Sequence, residues 1–253
     1  MSEAGIAGRV AFVTGASSGL GARFARVLAA AGARIVIAAR REDRLHALAA
    51  ELRADGVETL SVALDVSSYA SIQEAAAKTE KTLGPIDILV NNAGISHQAR
   101  IEDVTEKDYD DLMATNLKGA FFMAQAAARQ MLAHRVEGRI VNIASIAGLR
   151  PLGQLSTYSM SKAGLVQMTK SMAREWGRSG INTNAICPGY IATEISEDFV
   201  ETEAGKRLLA SLPRRRLGEP RDLDGLLLLL CAGEPARFIN GAVIAADDGF
   251  TSF

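Results

Sequence analysis

The sequence predicts an α/β fold in one domain, a doubly wound parallel sheet with helices on both faces, and three observations carry that prediction. Short apolar, β-rich runs alternate with longer stretches of good helix formers along most of the chain. Runs such as Ile35-Val36-Ile37-Ala38-Ala39 and Ile86-Asp87-Ile88-Leu89-Val90 lack strict polar alternation, which suits strands covered on both faces. The Gly-, Ser- and Asn-rich clusters follow directly after runs of this kind, where such sheets bind their ligands.

Taken in order, residues 10–14 form the first predicted strand, a Gly/Ser cluster follows, and 20–31 read as a helix. Residues 34–38 are the next strand, 42–55 the next helix and 59–64 a third strand, giving a βαβαβ period. Further strands fit 86–91, 139–143 and 181–186, separated by long helical stretches around 108–134 and 157–179. A last strand fits 242–246, and the leucine run 226–230 is most simply a buried helix. Residues 191–213 interrupt the alternation with a polar, helix-forming insertion that ends before Arg214, Arg215 and Arg216. Its place after a strand suggests a substrate lid, the alternative being a solvated surface helix.

Composition narrows the function classes. The chain has 253 residues, enough for one large core, with 48% hydrophobic and 23% charged residues, which excludes a disordered chain. No repeat, low-complexity tract or Pro/Gly/Ser-rich linker divides it. A net charge of −1 supplies no positive field for nucleic acid or an anionic membrane, so the expected partner is a small molecule. The first residues show no signal-peptide pattern and no apolar run reaches transmembrane length. Cys187 and Cys231 are too few for a disulfide framework, and the expectation is a cytoplasmic protein. His46, His97 and His134 are scattered without metal-ligand spacing, so no metal is expected.

Thr14-Gly15-Ala16-Ser17-Ser18-Gly19-Leu20-Gly21 joins the first strand to the first helix. Glycine permits the tight turn and close approach of a pyrophosphate, while free N–H groups at the helix start supply donors. No Gly-Lys-Ser/Thr closes the motif, so a dinucleotide fits better than a nucleoside triphosphate; the alternative is a turn that only packs helix on sheet. The second strand ends in Arg40 and Arg41 instead of the carboxylate that would hold a free ribose 2′-hydroxyl. Arginine forks suit a 2′-phosphate, which favours NADP(H) over NAD(H), unless both are solvated charges at a helix start.

Tyr158 and Lys162 stand four apart in a predicted helix and share a face, so the ammonium can favour the phenolate and bring the phenol toward its working range. Ser145, at the end of a predicted strand, can hydrogen-bond a carbonyl oxygen that gains charge, or merely serve a turn. Asn92, Ala93 and Gly94 follow Asn91, the last residue of a predicted strand; small residues there admit a cofactor ring, or make a simple turn. Asn116 can hold a water in a proton path or bond backbone. His97 is a candidate substrate contact or a solvated loop residue, and Cys187 a small packed residue.

In order and spacing, TGASSGLG, NNAG, Ser145, YSMSK and Pro188-Gly189 resemble the short-chain dehydrogenase/reductase family over nearly the whole chain. The resemblance implies a Rossmann fold with seven parallel strands, a homotetramer, and Asn116, Ser145, Tyr158 and Lys162 as the catalytic set. It also implies that Asp65 and Val66 flank adenine, that Asn92 to Gly94 line the cofactor, and that Ile191 and Thr193 meet the carboxamide. Arg40 matches the family's NADP type. The implied activity moves a hydride between NADP(H) and a carbonyl or secondary alcohol, with Tyr158 exchanging the proton. One departure is the ending Ala246-Asp247-Asp248-Gly249-Phe250, which lacks the family's Asp-Gly-Gly and places Phe250 and Phe253 where packing can change. Within enzymes the rival is a reductase of 3-oxoacyl thioesters on acyl carrier protein or coenzyme A, with Arg214 to Arg216 facing the carrier phosphate. From another class, the rival is a non-catalytic NADP(H)-binding sensor or scaffold.

Overall fold

The alternation in the sequence folds as one seven-stranded parallel sheet in the computed structural model of the protein, which describes residues 5–192 and 202–252. The strands are β1 (Val10–Thr14), β2 (Arg34–Ala39), β3 (Thr59–Ala63), β4 (Ile88–Asn91), β5 (Arg139–Ile143), β6 (Asn182–Pro188) and β7 (Val243–Ala246). Their order is β3-β2-β1-β4-β5-β6-β7, so the direction of winding reverses between β1 and β4. The loops after these two strands diverge and leave a crevice at their carboxyl ends.

Alternating side chains on each strand feed two separate cores. Val10 and Phe12 of β1 and Val36 and Ala38 of β2 join one; Ala11 and Val13, with Ile35 and Ile37, join the other. The first core lies under α3 (Tyr69–Leu83), α5 (Ala120–His134) and α6 (Ser156–Trp176). The second lies under α1 (Gly19–Ala30), α2 (Glu42–Ala54) and α8 (Asp224–Cys231). Both cores share the one sheet, which makes the chain a single domain of the Rossmann type.

Most sequence-predicted elements fall within one or two residues of the observed ones, including the leucine helix, of which Leu227 and Leu230 are fully buried. There are two differences. The reading of the sequence names no element between β3 and β4, where the structure has α3; its buried face is Ile72, Ala75, Ala76, Thr79 and Leu83, a helical spacing that the reading passed over. Ser68 caps it by accepting from the Ser71 N–H at 3.3 Å. The helical stretch expected over 108–134 is divided into α4 (Glu106–Met113), a π-helical turn (Ala114–Gly119) and α5. A π turn is a local widening that no hydrophobic period announces, and it frequently marks a functional site.

Phe12 is fully buried at the centre of the sheet. Phe12→Ala is expected to cost about 3–5 kcal/mol of stability, seen as a lower urea midpoint with unchanged slope.

Candidate active site

The loop after β4 is tied to the loop after β1 by a single hydroxyl. Thr14, buried at the end of β1, accepts from the backbone N–H groups of Asn92 and Ala93, both at 3.0 Å, and donates to the Val90 carbonyl at 3.4 Å. The Asn92 amide returns to the Thr14 and Gly15 carbonyls at 3.0 and 3.3 Å. Gly15 must be glycine twice over: its φ is +67°, and a Cβ would stand 2.9 Å from the Ala93 Cα. Gly21 packs so closely that a Cβ would lie 2.3 Å from the Gly15 carbonyl oxygen, which holds α1 against the turn.

This junction floors a cleft of about 360 Å³ lined by Gly15, Ser17, Ser18, Arg40, Arg41, Asp65, Val66, Asn92, Ala93 and Gly94. The cleft suits a dinucleotide on an observation of its own chemistry: Ser18, at the start of α1, makes no side-chain cap and the first turn carries no acidic residue, so its N–H groups face outward as donors for an anion. Arg41, more than Arg40, arches over this turn, its Nη2 donating to the hydroxyls of Ser17 at 2.9 Å and Ser18 at 2.7 Å. Arg40 and Arg41 thus both line the cleft beside these serines. Asp65 accepts from the Ser67 hydroxyl at 2.7 Å and its N–H at 3.0 Å, which, with Arg40 nearby, holds its carboxyl below the usual range.

Across the crevice, β5 ends before Ser145, and α6 carries Tyr158 and Lys162 one turn apart on one face. The Ser145 hydroxyl accepts from the Ala147 N–H at 3.1 Å and is hydrogen-bonded to the Tyr158 phenol. Lys162 is buried, its Nζ donating to the Ile143 carbonyl at 2.8 Å and standing 5.7 Å from the centre of the tyrosine ring. Burial lowers its ammonium to about 8. The Tyr158 phenol moves up, not toward neutrality as expected from the lysine: burial dominates, and the Ser145 bond recovers part of the shift. The ammonium is spent on a carbonyl and is itself discouraged by burial, so its charge does not overcome desolvation.

Asn116 lies in the π turn, fully enclosed. Its Oδ1 accepts from the Ile95 N–H at 2.8 Å, and its Nδ2 donates to the Ile95 carbonyl at 2.9 Å and the Ser161 hydroxyl at 3.1 Å. Of the two roles read from the sequence, its side chain performs backbone bonding, and the backbone lies 21 residues away. A latch of this kind fixes the segment after Gly94 against α6. Gly94 itself fits beneath it, where a Cβ would stand 3.3 Å from Asn116 Oδ1 and 3.6 Å from Lys162 Nζ.

The remaining candidates separate. Gly189 and Ile191 line a second cavity of about 380 Å³ with Tyr190, Arg216, Asp247 and Asp248, while Pro188 is enclosed at the end of β6. Gly19 opens α1 on the cleft's outer side, and Leu20 packs inward on the second core. Thr193 lies outside the described residues, as do 193–201 of the expected lid and Phe253; the described remainder of the lid holds α7 (Glu203–Ser211) and a bridge from Ile191 to Gly218. Cys187 is a packed thiol, buried beside Ser145 and pushed up to about 11. His97 Nε2 is 3.8 Å from Asp108, and its Nδ1 is buried without a partner. Among the described residues no His/Cys/Asp/Glu group could hold a metal. Sequence reasoning named Thr14 only as the first residue of the Gly/Ser motif; its hydroxyl at a predicted strand end, three residues before Ser17, was the available signal.

Residues 9–204 match the family model described as short chain dehydrogenase. The chain belongs to the short-chain dehydrogenase family. It is 37% identical over 247 residues to gluconate 5-dehydrogenase of Gluconobacter oxydans, covering 97% of this chain and 96% of that protein. It is 40% identical over 242 residues to acetoacetyl-CoA reductase of Shinella zoogloeoides, with 95% and 98% covered. The crystal structure of a gluconate 5-dehydrogenase from Burkholderia cenocepacia, in complex with NADP and tartrate, superposes with a TM-score of 0.92 at 37% identity, covering 98% and 96% of the two chains. Within this family the chain is an oxidoreductase acting on the CH–OH/C=O pair.

The buried lysine makes a pH prediction. Above about pH 8 the folded chain releases the Lys162 proton, while the unfolded chain keeps it up to the ordinary lysine range. The unfolded state then binds more protons, so this residue makes stability rise with pH through that window. Lys162→Met is expected to remove that rise, measured as the difference in slope of unfolding free energy against pH between the two proteins.

Proposed function

We propose that this short-chain dehydrogenase is an NADP(H)-dependent carbonyl reductase, or secondary alcohol dehydrogenase in the reverse direction, with Tyr158 as general acid and base. The observation that carries the reading is the contact of the Ser145 hydroxyl with the Tyr158 phenol, beside buried Lys162, across the crevice from a cleft bordered by Arg40 and Arg41. When bound, the nicotinamide supplies or accepts the hydride. Ser145 orients the substrate oxygen, and Tyr158 gives its proton to that oxygen during reduction and takes it back during oxidation. A phenol held up by burial keeps its proton to give in reduction, and the Lys162 ammonium, 5.7 Å from the ring centre, lies beside the tyrosinate left behind. Asn116 acts as a positioning residue that holds the Gly94-Ile95 segment and Ser161 in place.

In this reading Gly15, Ser17, Ser18, Gly19, Leu20 and Gly21 form the pyrophosphate turn, and Arg40 and Arg41 take the 2′-phosphate. Asp65 and Val66 border adenine, Asn92 to Gly94 line the nicotinamide side, and Pro188, Gly189, Ile191 and Thr193 meet the carboxamide. The segment 191–213 serves as the substrate lid.

Relatives include gluconate 5-dehydrogenase, D-threitol dehydrogenase and acetoacetyl-CoA reductases, and one observation favours a small substrate over a carrier-borne thioester. Arg214 is paired with Asp248 at 3.2 Å and Arg216 with Asp222 at 3.3 Å, so two of the three basic residues already have carboxylate partners. The catalytic set is complete, which disfavours a sensor or scaffold. A second copy of the chain is the expected partner, in a homotetramer: α5 and α6 expose Phe121 and Leu132 along a wide groove with Met168 and Trp176. No helix among the described residues is long and apolar enough to cross a membrane, and the cytoplasm is the proposed location.

Absorbance loss of NADPH, and separately NADH, against ketones, diketones, oxo acids and acetoacetyl thioesters tests the reading. Tyr158→Phe is expected to keep NADPH affinity and lose at least about 100-fold in turnover; near-normal turnover would refute the assignment. Arg41→Ala is expected to raise the Kd for NADPH roughly 10-fold or more and leave that for NADH within a factor of two or so. Phe121→Glu is expected to shift the sedimenting species to a smaller assembly.

A further inference from the structure

Three segments leaving the carboxyl ends of β5, β6 and β7 converge on one ring, that of Phe250. Tyr190 meets it edge to face, with centroids 5.5 Å apart and planes at 84°. The Arg150 guanidinium carbon stands 5.0 Å from the same centroid, and its Nη1 donates to the Phe250 carbonyl at 3.3 Å. The platform is fixed from below. Asp247 accepts from the N–H groups of Gly249 at 3.1 Å and Thr251 at 2.8 Å, and from the Thr251 hydroxyl at 2.6 Å.

The cluster is held close to the reacting groups by short, rigid connections. Arg150 lies five residues beyond Ser145, and Gly148 between them packs onto α6 so tightly that a Cβ would stand 2.7 Å from the Lys162 carbonyl carbon. Tyr190 follows Gly189, whose missing Cβ leaves 2.8 Å to Asp247. The guanidinium is near enough to Tyr190 to offset part of the rise that burial causes in its phenol. A guanidinium laid against an aromatic face keeps its N–H edge in plane, the geometry that pairs with a planar carboxylate.

We propose that Arg150, seated on Phe250 beside Tyr190, is a specificity-determining residue that receives the carboxylate of a short hydroxy or oxo acid while the reacting oxygen lies at Ser145 and Tyr158. This deepens the reading of the site as a carbonyl reductase and names the substrate class as an acid in preference to a neutral ketone or a thioester.

Calorimetry on the NADP⁺-loaded protein tests it, with gluconate and tartrate as probes and sorbitol as the uncharged control, on the wild type, Arg150→Met, Arg150→Lys and Phe250→Leu. Arg150 is exposed, so its replacement leaves the fold intact. Arg150→Met is expected to weaken binding of at least one acid roughly 10- to 100-fold and leave sorbitol unchanged. Arg150→Lys is expected to recover part of the loss, and Phe250→Leu to weaken the acid by an intermediate factor. Equal effects on acid and sorbitol, no effect on either, or no binding of either acid to the wild type would overturn the proposal. So would a loss of acetoacetyl-CoA reduction in Arg150→Met with an N-acetylcysteamine thioester unaffected, which would assign the guanidinium to the coenzyme phosphates. Binding is read without turnover, so active Tyr158→Phe would refute the general acid while the calorimetric result still decides on Arg150.

Discussion

Pairing of β1 with β4, Val13 beside Val90, is the contact on which the rest of the molecule depends. It places two strands that are distant in sequence side by side at the point where the winding reverses. Parallel strands demand long crossovers, and helices on both faces supply them. Every strand therefore ends on the same side, and every loop that carries chemistry opens there. The Thr14 hydroxyl completes this junction by satisfying two N–H groups of the second loop from the end of the first strand. A buried hydroxyl that serves three backbone partners leaves little freedom for either loop.

Around that junction the site is a balance of burial against partners. Lys162 is enclosed and keeps one carbonyl; Tyr158 is enclosed and keeps the Ser145 hydroxyl. Neither charge is cheap in such surroundings, which moves the lysine down and the tyrosine up, so the ammonium gives up its proton before the phenol does. The phenol therefore stays protonated with a proton to give, the state that general acid work requires. The Asn116 latch and the π turn contribute no charge. They hold the segment beyond Gly94 where the pair can act.

The arginines show how position sets meaning. Arg40 and Arg41 border a cleft beside outward-facing N–H donors, and there a guanidinium fits a phosphate. Arg214 and Arg216 sit beside the carboxylates of Asp248 and Asp222. Arg150 lies on an aromatic face at the other end of the crevice. One side-chain chemistry thus takes three roles, each decided by what it rests against.

The sequence by itself determined the sheet, the glycine turn and the pairing of Tyr158 with Lys162, because each follows from local periodicity or from a spacing of four on a helix. Seven strands, the helices of the second core and the Arg40-Arg41 pair at the end of β2 were legible for that reason. Helix α3 was not named, although Ile72, Ala75, Ala76, Thr79 and Leu83 recur at helical spacing on its buried face. Only the tertiary structure decided that Arg41 arches over Ser17 and Ser18, that Asn116 serves a backbone 21 residues away, and that burial outweighs the lysine in setting the tyrosine. It also decided that Phe250 joins Arg150 and Tyr190 in one cluster. These depend on contacts between segments far apart in the chain and on the desolvation they impose, and neither is written in any local pattern of residues.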